Sequence, residues 1–219
     1  MKKTENIFIL GDSYSTFEGY VPEGYPCWYM PNYPESEKED PDVTKVEQTW
    51  WHALVSERNA NLVFNSSYSG STICNTGYGG ADFTKCSFIT RTDEFINDGF
   101  FEKNTVDTIL IFGATNDTWA GAPIGETKYE GQTTEELYSF LPALSYLLSR
   151  LKANAKGARI VFIINDCLSD AVVSGIHDSC KHFDVEYLSL HGISKLDGHP
   201  TSLGMTQIKD QVAEYLDKV

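Results

Sequence analysis

The chain runs to 219 residues, of which 41% are hydrophobic and 22% charged, the balance of a folded protein that buries a substantial core as a single domain over 1–219. Its 17 Lys and Arg face 31 Asp and Glu, a net charge of −14. Such a field repels phosphate backbones and anionic lipid surfaces, so nucleic acid, membranes and polyanionic substrates are disfavoured as partners. The first apolar run, 6–10, starts so near Met1 that no signal peptide fits before it, and no stretch reaches the length of a membrane span, so a cytoplasmic location is expected. A helical stretch comes next at 47–58, then a run at 61–65, a helical stretch at 83–97 and a run at 108–112. Beyond these, Leu137, Leu141, Leu144, Leu148 and Leu151 form one stripe of a long amphipathic helix, with Thr133 and Glu136 spaced as a capping box. Pro142 inside that pattern predicts a kink or a later start. The runs 159–164 and 185–190 bracket a helix at 169–182, and a closing helix carries Leu203, Ile208, Val212 and Leu216 on one face.

Apolar runs that do not alternate with polar residues belong to strands buried on both faces. The expected fold is therefore α/β, a three-layer α/β/α sandwich around a five-stranded parallel sheet. Ligands of such sheets lie beyond the carboxyl ends of the strands, so the residues just after each run are the ones to read for chemistry. Gly11-Asp12-Ser13 comes after the first run, Asn65 to Ser71 after the second and Gly113-Ala114-Thr115-Asn116-Asp117 after the third, while Asp197-Gly198-His199-Pro200 precedes the last helix. Ser13 suits a nucleophile and His199 a general base, while an acid beside His199 would fix its tautomer. The main-chain N–H groups of Ser13 and Gly70 and the side-chain amide of Asn116 would make an oxyanion hole. Each residue also has a plainer reading, Ser13 as a cap, Gly70 and Asn116 as turn residues and His199 as a loop residue; their joint order favours the catalytic one.

These four blocks, spread over nearly the whole chain, resemble the SGNH hydrolase superfamily, the GDSL-like esterases and lipases. The resemblance implies a flavodoxin-like α/β/α fold, hydrolysis of carboxylic esters, no metal or organic cofactor, Ser13 as nucleophile, Ser13, Gly70 and Asn116 as oxyanion donors, and His199 as base. The family places its acid three residues before the histidine, where this chain has Leu196. Asp197, two residues before, is taken as the orienting acid; the main-chain carbonyl of Leu196 or Lys195, or the carboxylate of Asp166, are the alternatives. Asp12 and Asp117 flank the site but supply too few ligands for a catalytic metal. They are read as ordering their own turns through main-chain N–H bonds.

An aromatic and proline-rich insertion at about 14–46 holds Tyr14, Phe17, Tyr20, Tyr25, Trp28, Tyr29 and Tyr33 with five of the eight prolines, and ends in a charged stretch at 35–40 read as a solvated face. Within it Tyr14 and Trp28, with Trp119 from a second loop at 118–132, are the expected substrate-binding rings. A satellite apolar cluster that only pins the loop is the competing reading. Of Trp50 and Trp51 at least one is expected in the core, and His52 at the surface. Ser149 to Lys152 has an S-x-x-K spacing but lies in the leucine-striped helix, and Gly77-Tyr78-Gly79-Gly80 lacks the context of a phosphate loop. Five cysteines without a C-x-x-C pair read as buried free thiols. The function expected is that of a serine esterase removing small acyl groups such as acetyl, the substrate being a small-molecule or glycan ester. A non-catalytic carbohydrate-binding protein, a lysophospholipase or thioesterase, and a nucleotide binder are the alternatives.

Overall fold

The computed structural model describes residues 4–33 and 42–218. The charged stretch 35–40 and the prolines at 34 and 41 lie outside the described residues. Five strands, β1 (Asn6–Gly11), β2 (Asn61–Ser67), β3 (Thr108–Phe112), β4 (Arg159–Ile164) and β5 (Glu186–Ser189), pair in parallel in the order β2-β1-β3-β4-β5. This is the flavodoxin-like order, with its switch point between β1 and β3. In β1, Ile7 and Ile9 face one apolar layer while Phe8 and Leu10 face the other. The same alternation divides β3 and β4, so successive strand residues are apolar although the pleat has period two. Each large apolar side chain so buried contributes about 1.5–3 kcal/mol, and both layers are needed to cover the sheet.

On the Phe8 side pack α2 (Phe88–Asn97), α5 (Phe140–Asn154) and α6 (Asp170–Phe183); on the Ile7 side pack α1 (Trp50–Glu57) and α7 (Ser202–Asp217). The short helices α3 (Phe100–Lys103) and α4 (Thr115–Ala120) lack an apolar period long enough to read from sequence. The long helix starts later than its leucine stripe, at Phe140, which places Pro142 in the first turn, where a missing N–H loses no helical bond. The Thr133–Glu136 pair forms its bonds, with Thr133 N–H donating to the Glu136 carboxylate at 2.7 Å, but Glu136 begins a single 3-10 turn, Glu136–Tyr138, and not the long helix. On α7, Ile208, Val212 and Leu216 share the buried face with Met205; Leu203 does not, being 59% exposed. Trp50 and Trp51 are both buried. Of the cysteines, Cys74 and Cys180 are buried, Cys27 and Cys86 half-buried and Cys167 exposed. Among the described residues no helix is long and apolar enough to cross a membrane.

Candidate active site

The turn after β1 is built around a buried aspartate. Asp12 caps a 3-10 turn at Ser13–Ser15, its carboxylate accepting the Tyr14 N–H at 3.0 Å. The Ser13 carbonyl accepts from the main chain and the hydroxyl of Thr16, so the serine backbone is held from both sides. Burial pushes the Asp12 carboxyl up to about 7, against the opposing pull of the Tyr14 N–H and of Arg91. Beneath the turn lies the buried Arg91 of α2. Its guanidinium donates to the carbonyl and hydroxyl of Ser66, to the Gly11 carbonyl at 3.1 Å, to Ser71 Oγ at 3.0 Å and to the Cys86 carbonyl at 3.0 Å. One side chain thus ties the end of β1 to the loop after β2. Burial draws its pKa down to about 10.

The histidine arrives on a separate device, a hairpin of β6 (Lys195–Leu196) and β7 (His199–Pro200) outside the main sheet. Its two turn residues, Asp197 and Gly198, have φ of +47° and +78°, both left-handed as a two-residue type I′ turn requires. The Asp-Gly pair carries that signal in the sequence, but flanking strands of two residues each are too short for a periodic pattern to frame it. The hairpin brings His199 Nε2 to 2.9 Å from Ser13 Oγ and Nδ1 to 3.2 Å from the main-chain carbonyl of Asp197. A carbonyl can only accept, so Nδ1 carries the proton and Nε2 presents its lone pair to the serine hydroxyl. This departs from the expectation of an Asp197 carboxylate at the ring: two residues of offset turn the carbonyl toward Nδ1. Asp166 does not take that place either, since it pairs with Lys195 and accepts the Ile193 N–H.

Aromatic rings enclose the imidazole. Trp28 stacks on it face to face with centroids 3.6 Å apart and planes 9° apart, while Trp119 meets it edge-on at 5.5 Å. Tyr14 lies at 5.4 Å and donates its hydroxyl to the Gly198 carbonyl. Tyr14 is completely buried, so it holds the hairpin from below and is not the substrate wall expected from sequence; Trp119 is 38% exposed on the rim. Phe17 and Tyr29 of the same insertion also join the apolar layer under α1 and α7, and Tyr29 anchors the hairpin through the Pro200 carbonyl at 2.8 Å. Within this enclosure burial depresses the His199 pKa to about 4, only partly offset by the Asp197 carbonyl and carboxylate, with the Lys195 charge lowering it further.

The oxyanion donors expected from sequence lie at the turn after β1, in the loop after β2 and in α4. The N–H groups of Ser13 and Gly70 donate to no acceptor among the described residues. Asn116, in the first turn of α4, donates from Nδ2 to the Ser71 carbonyl at 3.0 Å and accepts the Tyr78 hydroxyl on Oδ1 at 2.7 Å. Asp117 does not order its own turn. Its carboxylate reaches across to the loop after β2, accepting from Ile73 N–H at 2.9 Å and Cys74 N–H at 3.2 Å, and burial raises its pKa to about 6. Arg91 and Tyr78 escape sequence reasoning. Arg91 sits three residues after Phe88 on the buried face of α2, a placement that marks it as unusual for a charge; Tyr78 lies in the glycine-rich segment that fails as a phosphate loop.

The family model for GDSL-like lipase/acylhydrolase matches residues 5–216. Two solved structures of candidate GDSL-like lipases are similar in both sequence and fold. That from Bacteroides ovatus is 43% identical over all of both chains with a TM-score of 0.91. That from Bacteroides uniformis is 46% identical over all of this chain and 98% of its own, also with a TM-score of 0.91. A family two carbohydrate esterase from Clostridium thermocellum, solved in complex with cellohexaose, shares the fold at 15% identity, with a TM-score of 0.63 over 98% of this chain and 64% of its own. No curated protein matches the sequence. With the family match spanning nearly every residue and the Bacteroides structures superposing over the full length, this chain belongs to the GDSL-like lipase/acylhydrolase family of hydrolases.

Proposed function

We propose that the protein is a serine esterase that removes small acyl groups, acetyl above all, from a hydroxylated acceptor of carbohydrate type. The observation that carries this reading is the 2.9 Å contact between Ser13 Oγ and the unprotonated Nε2 of His199. In the proposed reaction Ser13 Oγ attacks the ester carbonyl carbon as its proton passes to Nε2. The carbonyl oxygen takes up the negative charge and is met by the N–H groups of Ser13 and Gly70 and by Asn116 Nδ2. Collapse of the tetrahedral intermediate expels the alcohol, which receives the proton from Nε2. Water, deprotonated by His199, then attacks the acyl-Ser13 carbonyl and the second collapse frees the acid and the serine. Because the histidine lacks a carboxylate partner at Nδ1, its transient positive charge is stabilised by the Asp197 carbonyl and by the face of Trp28.

The acceptor class rests on the partly exposed Trp119 ring beside the histidine, an aromatic surface that suits the apolar face of a sugar, and is in keeping with the fold shared with the carbohydrate esterase. The test is steady-state hydrolysis of aryl esters of increasing acyl length. Turnover that is highest for acetate, falls steeply beyond propionate and vanishes in Ser13→Ala is expected. An undiminished rate with octanoate would replace the small-acyl reading with a lipase, and binding of oligosaccharides without turnover of any ester would replace it with a carbohydrate-binding protein.

A further inference from the structure

The loop between β2 and α2 holds a large aromatic side chain that the packing of the fold does not explain. Tyr78 is 43% exposed, and its ring stacks on no other aromatic ring among the described residues. Yet the segment that carries it is tightly built. Gly79 and Gly80 both take left-handed φ, +64° and +76°, and the turn closes through Gly77 N–H to the Ala81 carbonyl at 2.8 Å and Gly80 N–H to the Gly77 carbonyl at 3.1 Å. A bridge between Thr76 and Asp82 clamps its base. The glycines are therefore present for a geometry only they adopt easily, and in that geometry the Tyr78 hydroxyl donates to Asn116 Oδ1 at 2.7 Å.

From this contact, and resting on the esterase reading above, we infer that Tyr78 is a positioning residue for the oxyanion donor Asn116. An asparagine amide has two orientations, and only one presents N–H to the developing negative charge. Here both ends are committed: one Nδ2 hydrogen goes to the Ser71 carbonyl, and Oδ1 receives the Tyr78 hydroxyl. The reversed amide would set its oxygen against the Ser71 carbonyl oxygen. The second Nδ2 hydrogen is left for the substrate. A donor on Oδ1 also polarises the amide, which strengthens the remaining N–H as a donor. The effect is realised in the transition state, so it belongs in kcat and leaves KM alone.

The experiment is a double-mutant cycle of Tyr78→Phe and Asn116→Ala in the full chain, with an aryl acetate as substrate. Tyr78→Phe keeps the exposed ring and removes only the hydroxyl. Loss of an oxyanion donor in Asn116→Ala lowers kcat by about 10²–10³-fold. The expected result for Tyr78→Phe is a kcat about 5- to 30-fold below wild type with KM unchanged, and no further loss, within about twofold, when it is added to Asn116→Ala. A Tyr78→Phe variant with wild-type kcat, one that raises KM alone, or one whose loss persists undiminished in the Asn116→Ala background overturns the assignment. The first would make the contact idle, the second would make Tyr78 a substrate wall and the third a structural residue. Wild type inert toward every aryl ester sinks the esterase reading, and with it this one, and so is distinguishable from a failure of Tyr78 alone.

Discussion

Ser13 stands at the end of a central strand, on a turn fixed by hydrogen bonds to a buried aspartate and underpinned by a buried arginine. His199, 2.9 Å away, hangs on a two-residue hairpin outside the sheet, fixed by a main-chain carbonyl and enclosed by Trp28, Trp119 and Tyr14. The serine side depends on a buried guanidinium, for which a missing partner is costly. The histidine side depends on ring faces and carbonyls, which give position with little charge. Loss of the buried cation should therefore damage the first region, loss of charge should spare the second, and truncation of rings should damage the second most.

The largest effect expected is that of Ser13→Ala, which lowers aryl-ester turnover by about 10⁴-fold or more while leaving the melting temperature near wild type. Next comes Arg91→Met. It takes the guanidinium from the carbonyls of Ser66 and Cys86 and leaves the Gly11 carbonyl with the Tyr68 N–H alone, and denaturant unfolding should show a loss of about 3–5 kcal/mol. Trp28→Leu should cost about 10-fold in kcat through lost orientation of the imidazole. Water admitted beside the ring would also raise the His199 pKa, so the acid limb of the pH–rate profile, set near 4 in the wild type, moves upward.

Asp12 gives a stability signature on the serine side. Burial raises its carboxyl from an ordinary 3.8 to about 7, so the folded protein holds a proton that the unfolded chain has lost. Stability should fall as pH rises from about 4 through about 7, and Asp117, raised to about 6, adds to the same trend. His199, depressed to about 4, acts in the other direction, removing stability as pH falls from its ordinary 6.5 toward 4. Asp12→Asn keeps an oxygen acceptor for the Tyr14 N–H and removes the titration, so thermal melts of this variant should gain on wild type as pH is raised to about 8. The smallest effect is expected for Asp197→Asn. Asparagine accepts the left-handed φ of that position and keeps the carbonyl at Nδ1, so kcat should stay within about threefold of wild type. A loss of orders of magnitude would restore a carboxylate as the orienting group and erase the contrast between the two regions.

The sheet is legible in the sequence because a doubly covered strand such as Ile7-Phe8-Ile9-Leu10 cannot be mistaken for an alternating one, and because the four chemical blocks each adjoin such an element or the last helix. What stays concealed depends on tertiary contact. Nothing local reveals that the carbonyl and not the carboxylate of Asp197 meets Nδ1, since the hairpin turn decides it; nor that Tyr14 points inward beneath Gly198 while Trp28, farther along the same insertion, covers the imidazole. Asp117 reads as ordering its own turn because an Asx turn is local, yet its bonds run 44 residues back to Ile73. Arg91 shows the opposite case: its place on the apolar face of α2 is visible in the sequence, and a charge there is a question that only a buried set of acceptors answers.

The most direct measurement of the central claim is intact-mass spectrometry of wild type and Ser13→Ala after exposure to a fluorophosphonate, which asks for an activated serine without knowledge of the natural ester. A single adduct on the wild type and none on Ser13→Ala is the predicted result. An unlabelled but well-folded wild type, or equal labelling of the variant, would contradict the assignment of Ser13 as a nucleophile activated by His199.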